Sequence, residues 1–268
     1  MNILFTGHRG FLGRELIPKL ESHFIVHKFP GNLLNFDLLQ KFVIDHKIDK
    51  IIHAAARGGR RVREDSPHTL AENFAVSINI RNLGIPTLYF CSGAIYGRQL
   101  PIVEIHEGRT SDRYPSDYYG QSKYLLREIA IKDQQSIFIR FFNVFGQSEG
   151  IDRFISYNIQ QYKKEQAMRV FQDFVMDFYY VKDALPIVIQ WLENKELPKE
   201  VNMVYKDKIS LIQICESINS LDRHSVPIDL QSNEKGKDYC GNGSILANLN
   251  LPTLGLVTGL TDMYKNSI

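Results

Sequence analysis

What this chain can become is narrowed within its first thirteen residues, where an apolar strand runs into three glycines spaced two residues apart. Residues 2–5 carry the apolar Ile3-Leu4-Phe5, Thr6-Gly7-His8-Arg9-Gly10-Phe11-Leu12-Gly13 follows, and a helical pattern begins at once. Glycines serve a backbone that turns tightly and then approaches a pyrophosphate, while the helix N-terminus supplies amide donors and the positive end of its dipole. The spacing Gly-x-x-Gly-x-x-Gly is one residue off the general dinucleotide fingerprint. A glycine trio alone could be a plain strand-to-helix turn; its place at the first βα junction of an alternating chain gives it meaning. Gly7, Arg9, Gly10, Phe11, Leu12 and Gly13 are therefore expected to bind a dinucleotide.

The alternation is visible through the first half. Strands are expected at 2–5, 24–28, 50–53, 87–91 and 136–141, with helices at 11–21, 36–46, 67–80 and 116–132. Short strands alternating with amphipathic helices predict an α/β fold, a Rossmann doubly wound parallel sheet. Pro18 lies inside the first helix and is expected to kink it or end it early. After Phe145-Gly146 the pattern weakens. The stretch 147–175 reads as loop and helix, 176–194 as a strand and helix returning to the main sheet, 201–204 as a short strand, 210–217 as a helix, and 224–268 as loop-rich. The expected organisation is a dinucleotide-binding domain of 1–146 plus 176–194. A small α+β substrate-binding lobe of 147–175 plus 195–268 completes it.

Composition sets limits. With 268 residues, 44% hydrophobic and 23% charged, the chain is of ordinary globular type. A formal charge of +2 gives no reason to expect nucleic acid or a membrane as partner. No apolar run reaches the roughly 18 residues a membrane span needs, and the N-terminus has no basic region of the secretory kind. Cys91, Cys215 and Cys240 are scattered, and neither a Cys-x-x-Cys pair nor a His-x-x-x-His helix face occurs. No metal is expected, and the expected location is cytoplasmic.

Tyr119-Gly120-Gln121-Ser122-Lys123 puts a phenol and an ammonium one helical turn apart on one face. A free tyrosine titrates near 10, too high for efficient proton transfer at neutral pH, and a nearby cation lowers that value. Ser92 ends an apolar strand, where a hydroxyl can hold a substrate carbonyl or its alkoxide. Tyr-x-x-x-Lys also arises by accident as a surface pair, but Ser92 and the glycine loop at the ends of their strands argue against that reading. Ser92, Tyr119 and Lys123 are the expected catalytic set. The second strand ends Val26-His27-Lys28-Phe29, without the acid that would bind an NAD ribose. Lys28 and Arg9 would instead meet a 2′-phosphate, which favours NADP over NAD; the alternative is that Lys28 is a solvated strand end.

With these residues in place, the chain resembles the extended short-chain dehydrogenase/reductases, specifically the NAD-dependent epimerase/dehydratase family that acts on nucleotide sugars. Its glycine loop is similar to that of GDP-fucose synthases. Asn32-Leu33-Leu34-Asn35 resembles the adenine-contacting turn, with Asn32 where the family usually has Asp. The segment 48–56 resembles its His-x-Ala-Ala strand end. Asn32, Leu33, Ala54, Ala55, Ala56 and Asn73 are thereby implied at the cofactor, with Tyr119 and Lys123 reaching its nicotinamide end. Ser92-Gly93-Ala94-Ile95-Tyr96-Gly97 resembles the family's Ser-x-x-Val-Tyr-Gly. Arg140-Phe141-Phe142-Asn143-Val144-Phe145-Gly146 resembles the segment whose asparagine contacts the sugar nucleotide. Met176 stands where an arginine often meets the nucleotide phosphate, so that contact must come from elsewhere. The basic run 57–63 offers Arg57 or Arg60, unless it is only a solvated loop. Ser92, Ala94, Asn143 and Arg57 are the implied substrate contacts; His106 and Glu107 read as ordinary loop residues, and Trp191 as core.

Departures from the family narrow the reaction. Gly93-Ala94 replaces the Asp-Glu pair of 4,6-dehydratases, and Ala94 replaces the cysteine with which GDP-fucose synthases epimerise adjacent carbons. What the resemblance leaves is hydride chemistry at one carbon: reduction of an NDP-4-keto-6-deoxysugar, or 4-epimerisation with tightly held NAD. A non-catalytic dinucleotide sensor on the same fold is the reading from another class. The family also implies a homodimer built on the helix after residue 66 and the Tyr119 helix, although the 73–92 region is about two turns short for the usual geometry.

Overall fold

The computed structural model describes residues 1–59, 65–111 and 113–266. Arg60, one of the two candidates for the phosphate contact, lies outside the described residues.

β1 (Asn2–Thr6), α1 (Phe11–Leu20), β2 (Ile25–His27), α2 (Phe36–Asp45), β3 (Lys50–His53), α3 (Pro67–Asn82) and β4 (Thr87–Ser92) alternate as expected. A short excursion through β5 (Ile102–Ile105) precedes α4 (Tyr118–Ala130) and β6 (Ile137–Phe141). Then come β7 (Val144–Phe145), α5 (Phe154–Lys163), β8 (Met168–Gln172), β9 (Tyr179–Tyr180), α6 (Leu185–Leu192) and β10 (Glu200–Met203). The chain ends with α7 (Leu211–Asn219), β11 (Ile228–Ser232), β12 (Tyr239–Gly241), α8 (Ser244–Asn248) and α9 (Leu256–Asn266).

Six strands form the main sheet in the order β10-β6-β4-β3-β1-β2, and every pairing in it is parallel. From β1 the chain steps outward to β2 and then crosses back to β3 on the other side of β1. Right-handed crossovers place the helices before and after such a reversal on opposite faces, giving the doubly wound Rossmann-type arrangement. The reversal leaves a crevice at the carboxyl ends of β1 and β3, where such sheets bind their ligands. The strands are buried on both faces, as Ile3, Leu4, Phe5, Ile51, Ile52, Leu88, Phe138 and Ile139 show. This explains their unbroken apolar runs.

Four readings of the sequence change. Pro18 does not end α1 early, since the helix continues two residues past it to Leu20. The proline removes the one intrahelical bond that the Arg14 carbonyl would accept, and the next turn closes regardless, Glu21 N–H donating to the Ile17 carbonyl at 2.9 Å. The return to the main sheet is made by β10, not by 176–194, whose β9 pairs only with β7; residues 200–203, expected in the lobe, are thus part of the sheet. The region 224–268 is not loop-rich: β11 pairs with β8, β12 with β5, and α9 packs its Leu260 and Met263 inward. Glu107 is also no plain loop residue, being 4% exposed and accepting from the Asn202 backbone N–H at 2.8 Å.

Candidate active site

Gly7 has φ +76, and a Cβ there would lie 2.7 Å from the Ala55 nitrogen. Only glycine lets the loop turn this close to the β3 end. A Cβ on Gly13 would lie 2.5 Å from the His8 carbonyl oxygen, so that glycine lets α1 seat against the loop. Helix α1 has Gly10 as its N-cap, no side-chain cap and no acid in its first turn, the composition of an N-terminus that receives an anion. Thr6 joins the two strand ends: its hydroxyl is 2.8 Å from His53 Nδ1 and accepts from Ala55 N–H at 3.4 Å. Burial, then the Lys123 charge, holds the His53 imidazole down at about 3, so it is neutral at any working pH. Loop, dipole and strand ends fit a dinucleotide.

At the β2 end, Lys28 pairs with Glu21 at 2.7 Å. His8 is held below its usual value by burial and then by the charges of Arg9 and Lys28. The Asn32 side-chain oxygen accepts from Leu34 N–H at 3.0 Å, and Asn79 donates to the Leu33 carbonyl at 2.8 Å, so both residues sit in a fixed turn.

Ser92 stands at the carboxyl end of β4, and its hydroxyl accepts from Ala94 N–H at 3.2 Å to open the 93–96 turn. Tyr119 and Lys123 lie one turn apart on α4, whose N-cap Asp117 accepts from Gly120 N–H at 2.8 Å. Lys123 is buried between the sheet and Tyr119. Its Nζ donates to the Phe90 carbonyl at 3.0 Å and lies 5.8 Å from the centre of the Tyr119 ring. Burial pushes the Tyr119 phenol well above its usual value, and it is the Arg98 charge and hydrogen bonding from Ser92 that pull it back. Burial pushes the Lys123 ammonium down. Gly59, at φ +79, passes over the Tyr119 ring so closely that a Cβ would lie 2.8 Å from Cζ; its N–H donates to Asp65 at 3.1 Å.

The remaining expected residues divide. Asn73 gives both ends of its amide to the Arg57 backbone (2.8 and 2.9 Å) and also donates to Ser122 at 3.2 Å, tying the loop to α4. The exposed Arg57 guanidinium pairs with Glu72 at 3.1 Å. Ala94 is fully buried and shapes the turn below Ser92, with its carbonyl under Gly120; in this conformation it offers a substrate no surface. Asn143 accepts from Arg153 at 2.5 Å and lies 3.2 Å from the Met176 sulfur, so Arg153 brings a guanidinium to the place where Met176 lacks one.

Arg153 in turn pairs with Glu149 at 3.1 Å. Burial pushes that carboxyl up to about 7, against the pull of Arg153 and Ser156. A raised folded value means the buried charge costs stability as pH rises from about 4.5 through 7. Thermal melts of the chain are therefore expected to fall relative to Glu149→Gln between pH 5 and pH 8; a constant gap would refute this.

Beside Tyr119 opens a cavity of about 770 Å³, whose walls include Arg98, Asp117, Tyr118, Phe174, Lys235 and Tyr239. Of these the sequence nominated none. Arg98 carried the one available signal, following directly on the Ser92–Gly97 segment.

A family model described as the NAD dependent epimerase/dehydratase family matches residues 3–204. ADP-L-glycero-D-manno-heptose-6-epimerase of Brachyspira hyodysenteriae is 24% identical over 261 residues, covering 82% of this chain and 80% of its own. GDP-6-deoxy-D-talose 4-dehydrogenase of Aggregatibacter actinomycetemcomitans is 26% identical over 249 residues, covering 85% and 82%. Among solved structures, UDP-glucose 4-epimerase of Thermotoga maritima with UDP-glucose superposes at TM-score 0.81, with 17% identity and 99% and 98% of the two chains covered. dTDP-glucose 4,6-dehydratase of Bacillus anthracis in complex with NAD gives the same score and identity over 100% and 97%. These likenesses show the same fold.

Proposed function

The chain belongs to the NAD dependent epimerase/dehydratase family, and from that premise we propose that it exchanges hydride at C4 of a nucleotide-linked sugar, reducing an NDP-4-keto-6-deoxysugar. The observation that carries this reading is Ser92, Tyr119 and Lys123 gathered at the carboxyl edge of the sheet, with glycine and buried alanine after Ser92 in place of further acid–base groups. Gly7, Gly10, Gly13 and the α1 N-terminus hold the pyrophosphate of the cofactor, Asn32 and Leu33 its adenine, and Lys123 its nicotinamide ribose. The nicotinamide, when bound, supplies the hydride. Tyr119 gives its proton to the C4 oxygen, and Ser92 steadies the charge that develops there. Asn143, Arg153 and Lys235 take the substrate diphosphate. The substrate lobe comprises 147–175 and the chain after β10, and a homodimer forms through α3 and α4, which pack together.

Arg9 and Lys28, whose charges both reach His8, support NADP, since a 2′-phosphate would meet two cations there. In a binding panel of NAD, NADP and the UDP, GDP, CDP and dTDP nucleotides, NADP is expected to bind at least about tenfold tighter than NAD. Lys28→Glu is expected to remove that preference. Equal affinities, or a preference for NAD, would overturn the NADP assignment. One observation favours the 4-epimerase: Glu21 neutralises Lys28 at 2.7 Å, which weakens the case for a phosphate. Protein that purifies with NAD it does not release would decide for that alternative.

A further inference from the structure

Arg98 belongs to neither the glycine loop nor the Ser92, Tyr119 and Lys123 set, yet it joins the two halves of the catalytic site. Gly97, at φ +78, ends the turn that begins at Ser92 and sends the chain toward α4. The Arg98 side chain, 23% exposed, then grips Asp117 with two nitrogens, Nε at 3.3 Å and NH2 at 2.6 Å. Asp117 is also the residue whose carboxylate caps α4 through Gly120 N–H. Tyr119 lies between cap and capped residue, so its backbone is held from both sides. The turn and the helix are pressed together as well: a Cβ on Gly120 would come 2.8 Å from the Ala94 carbonyl oxygen.

We propose that the Arg98–Asp117 pair is a positioning device for the reaction, clasping the Ser92 turn to the first turn of the Tyr119 helix and setting the electrostatic field at the phenol. This rests on the function proposed above. Charge on Arg98 favours the phenolate, and charge on Asp117 offsets Arg98. The other groups facing the phenol are Cys91 and Ser92 of β4, Lys123 of its own helix, Tyr239 of β12, and Gly59 with Asp65 behind it. Lys123, with its Nζ on the Phe90 carbonyl, is turned to the sheet.

The test needs no knowledge of the sugar. Oxidised nicotinamide carries a positive charge, so NAD+ or NADP+ binds more tightly once the neighbouring phenol ionises. The probe is whichever of the two binds better, titrated from pH 6 to pH 10 against the chain and its Tyr119→Phe variant. A tightening step absent from Tyr119→Phe belongs to Tyr119. Arg98→Ala is expected to move that step up by about half to one pH unit, and Arg98→Lys by less. Asp117→Asn keeps an N-cap acceptor while dropping the charge, and is expected to move the step down. Opposite shifts with near-native melting temperatures support the clasp, because loss of packing alone would move both variants in one direction. Shifts in the same direction, an unmoved step, or no Tyr119-dependent step overturn it. Failure of both dinucleotides to bind overturns the function of the site, and this proposal with it.

Discussion

Tyr119→Phe is expected to lower turnover about a thousandfold, within the hundredfold to ten-thousandfold usual for a positioned proton donor. Binding of NAD(P) and the melting temperature should change little. The phenol has no substitute in the site: the Ser92 hydroxyl accepts from Ala94 N–H, and the Lys123 ammonium donates to the Phe90 carbonyl. Burial keeps the phenol protonated in the free protein, the form a reductase needs in order to donate. Phenylalanine preserves the ring under Gly59 and loses only the contact with Ser92, worth about 1 kcal/mol as an ordinary hydrogen bond. The measurement is NAD(P)H absorbance during turnover of the nucleotide sugar that the binding panel selects. A variant retaining a tenth of the activity or more would mean that Tyr119 is not the proton donor, whereas a chain that binds the dinucleotide and turns over no nucleotide sugar, its biological activity unaffected by Tyr119→Phe, would be the dinucleotide sensor.

The parts of this site that the sequence disclosed are those held together by local geometry. Gly7 to Gly13 occupy one loop, Tyr119 and Lys123 one helical turn, and Ser92 one strand end. β3 was legible because its centre, Ile51-Ile52, is apolar as a strand buried on both faces requires, and Asp49-Lys50 marks its start. The lobe was harder. β8 and β12 are short, and 234–241 reads Glu-Lys-Gly-Lys-Asp-Tyr-Cys-Gly, a turn by composition. It becomes a strand because β5 and Asp177 supply partners far away in sequence: Ile102 pairs with Tyr239, and the Gly241 N–H donates to Asp177 at 2.7 Å. Arg98 and Arg153 were missed for a related reason. Arg98 meets Asp117 only because a left-handed Gly97 redirects the chain, and Arg153 meets Asn143 only because α5 begins where it does. The spacing of Tyr119 and Lys123 fixes a shared face of α4 and leaves the direction of the lysine ammonium open, and the Phe90 carbonyl takes it.

Glu200→Ala is expected to lower the stability of the fold by about 3–5 kcal/mol, the usual result of leaving a buried charge without its partner. Arg140 is fully buried in β6, directly opposite Cys91 and next to the Ser92–Phe141 pair. Its Nη1 donates to the Tyr96 hydroxyl at 2.8 Å and its Nη2 to Glu200, while its Nε has no hydrogen-bond partner among the described residues. Glu200 is therefore the carboxylate that balances it, and Arg127 binds the same group at 2.7 and 2.9 Å. Truncation strands a guanidinium in the middle of the sheet, one residue from the catalytic strand end. At roughly 2–4 °C per kcal/mol for a chain somewhat smaller than this, the melting temperature should drop by about 10 °C. Glu200→Gln, which keeps an acceptor, should lose less. Burial alone would raise the Glu200 carboxyl, but the Arg127 hydrogen bonds and the Arg140 charge outweigh it and hold the group below its usual 4.5. A depressed folded value makes this contribution complete above about 4.5, and it fades as pH falls through the folded value. The gap between chain and variant should therefore be widest near pH 7 and close in acid. Because Arg140 also holds Tyr96, the last residue of the turn beneath Ser92, turnover should fall with stability even well below the melting point. A loss of under 2 °C at pH 7 would mean that the Arg140 charge is balanced by groups other than Glu200, and that the sheet does not depend on this pair to keep Ser92 in place.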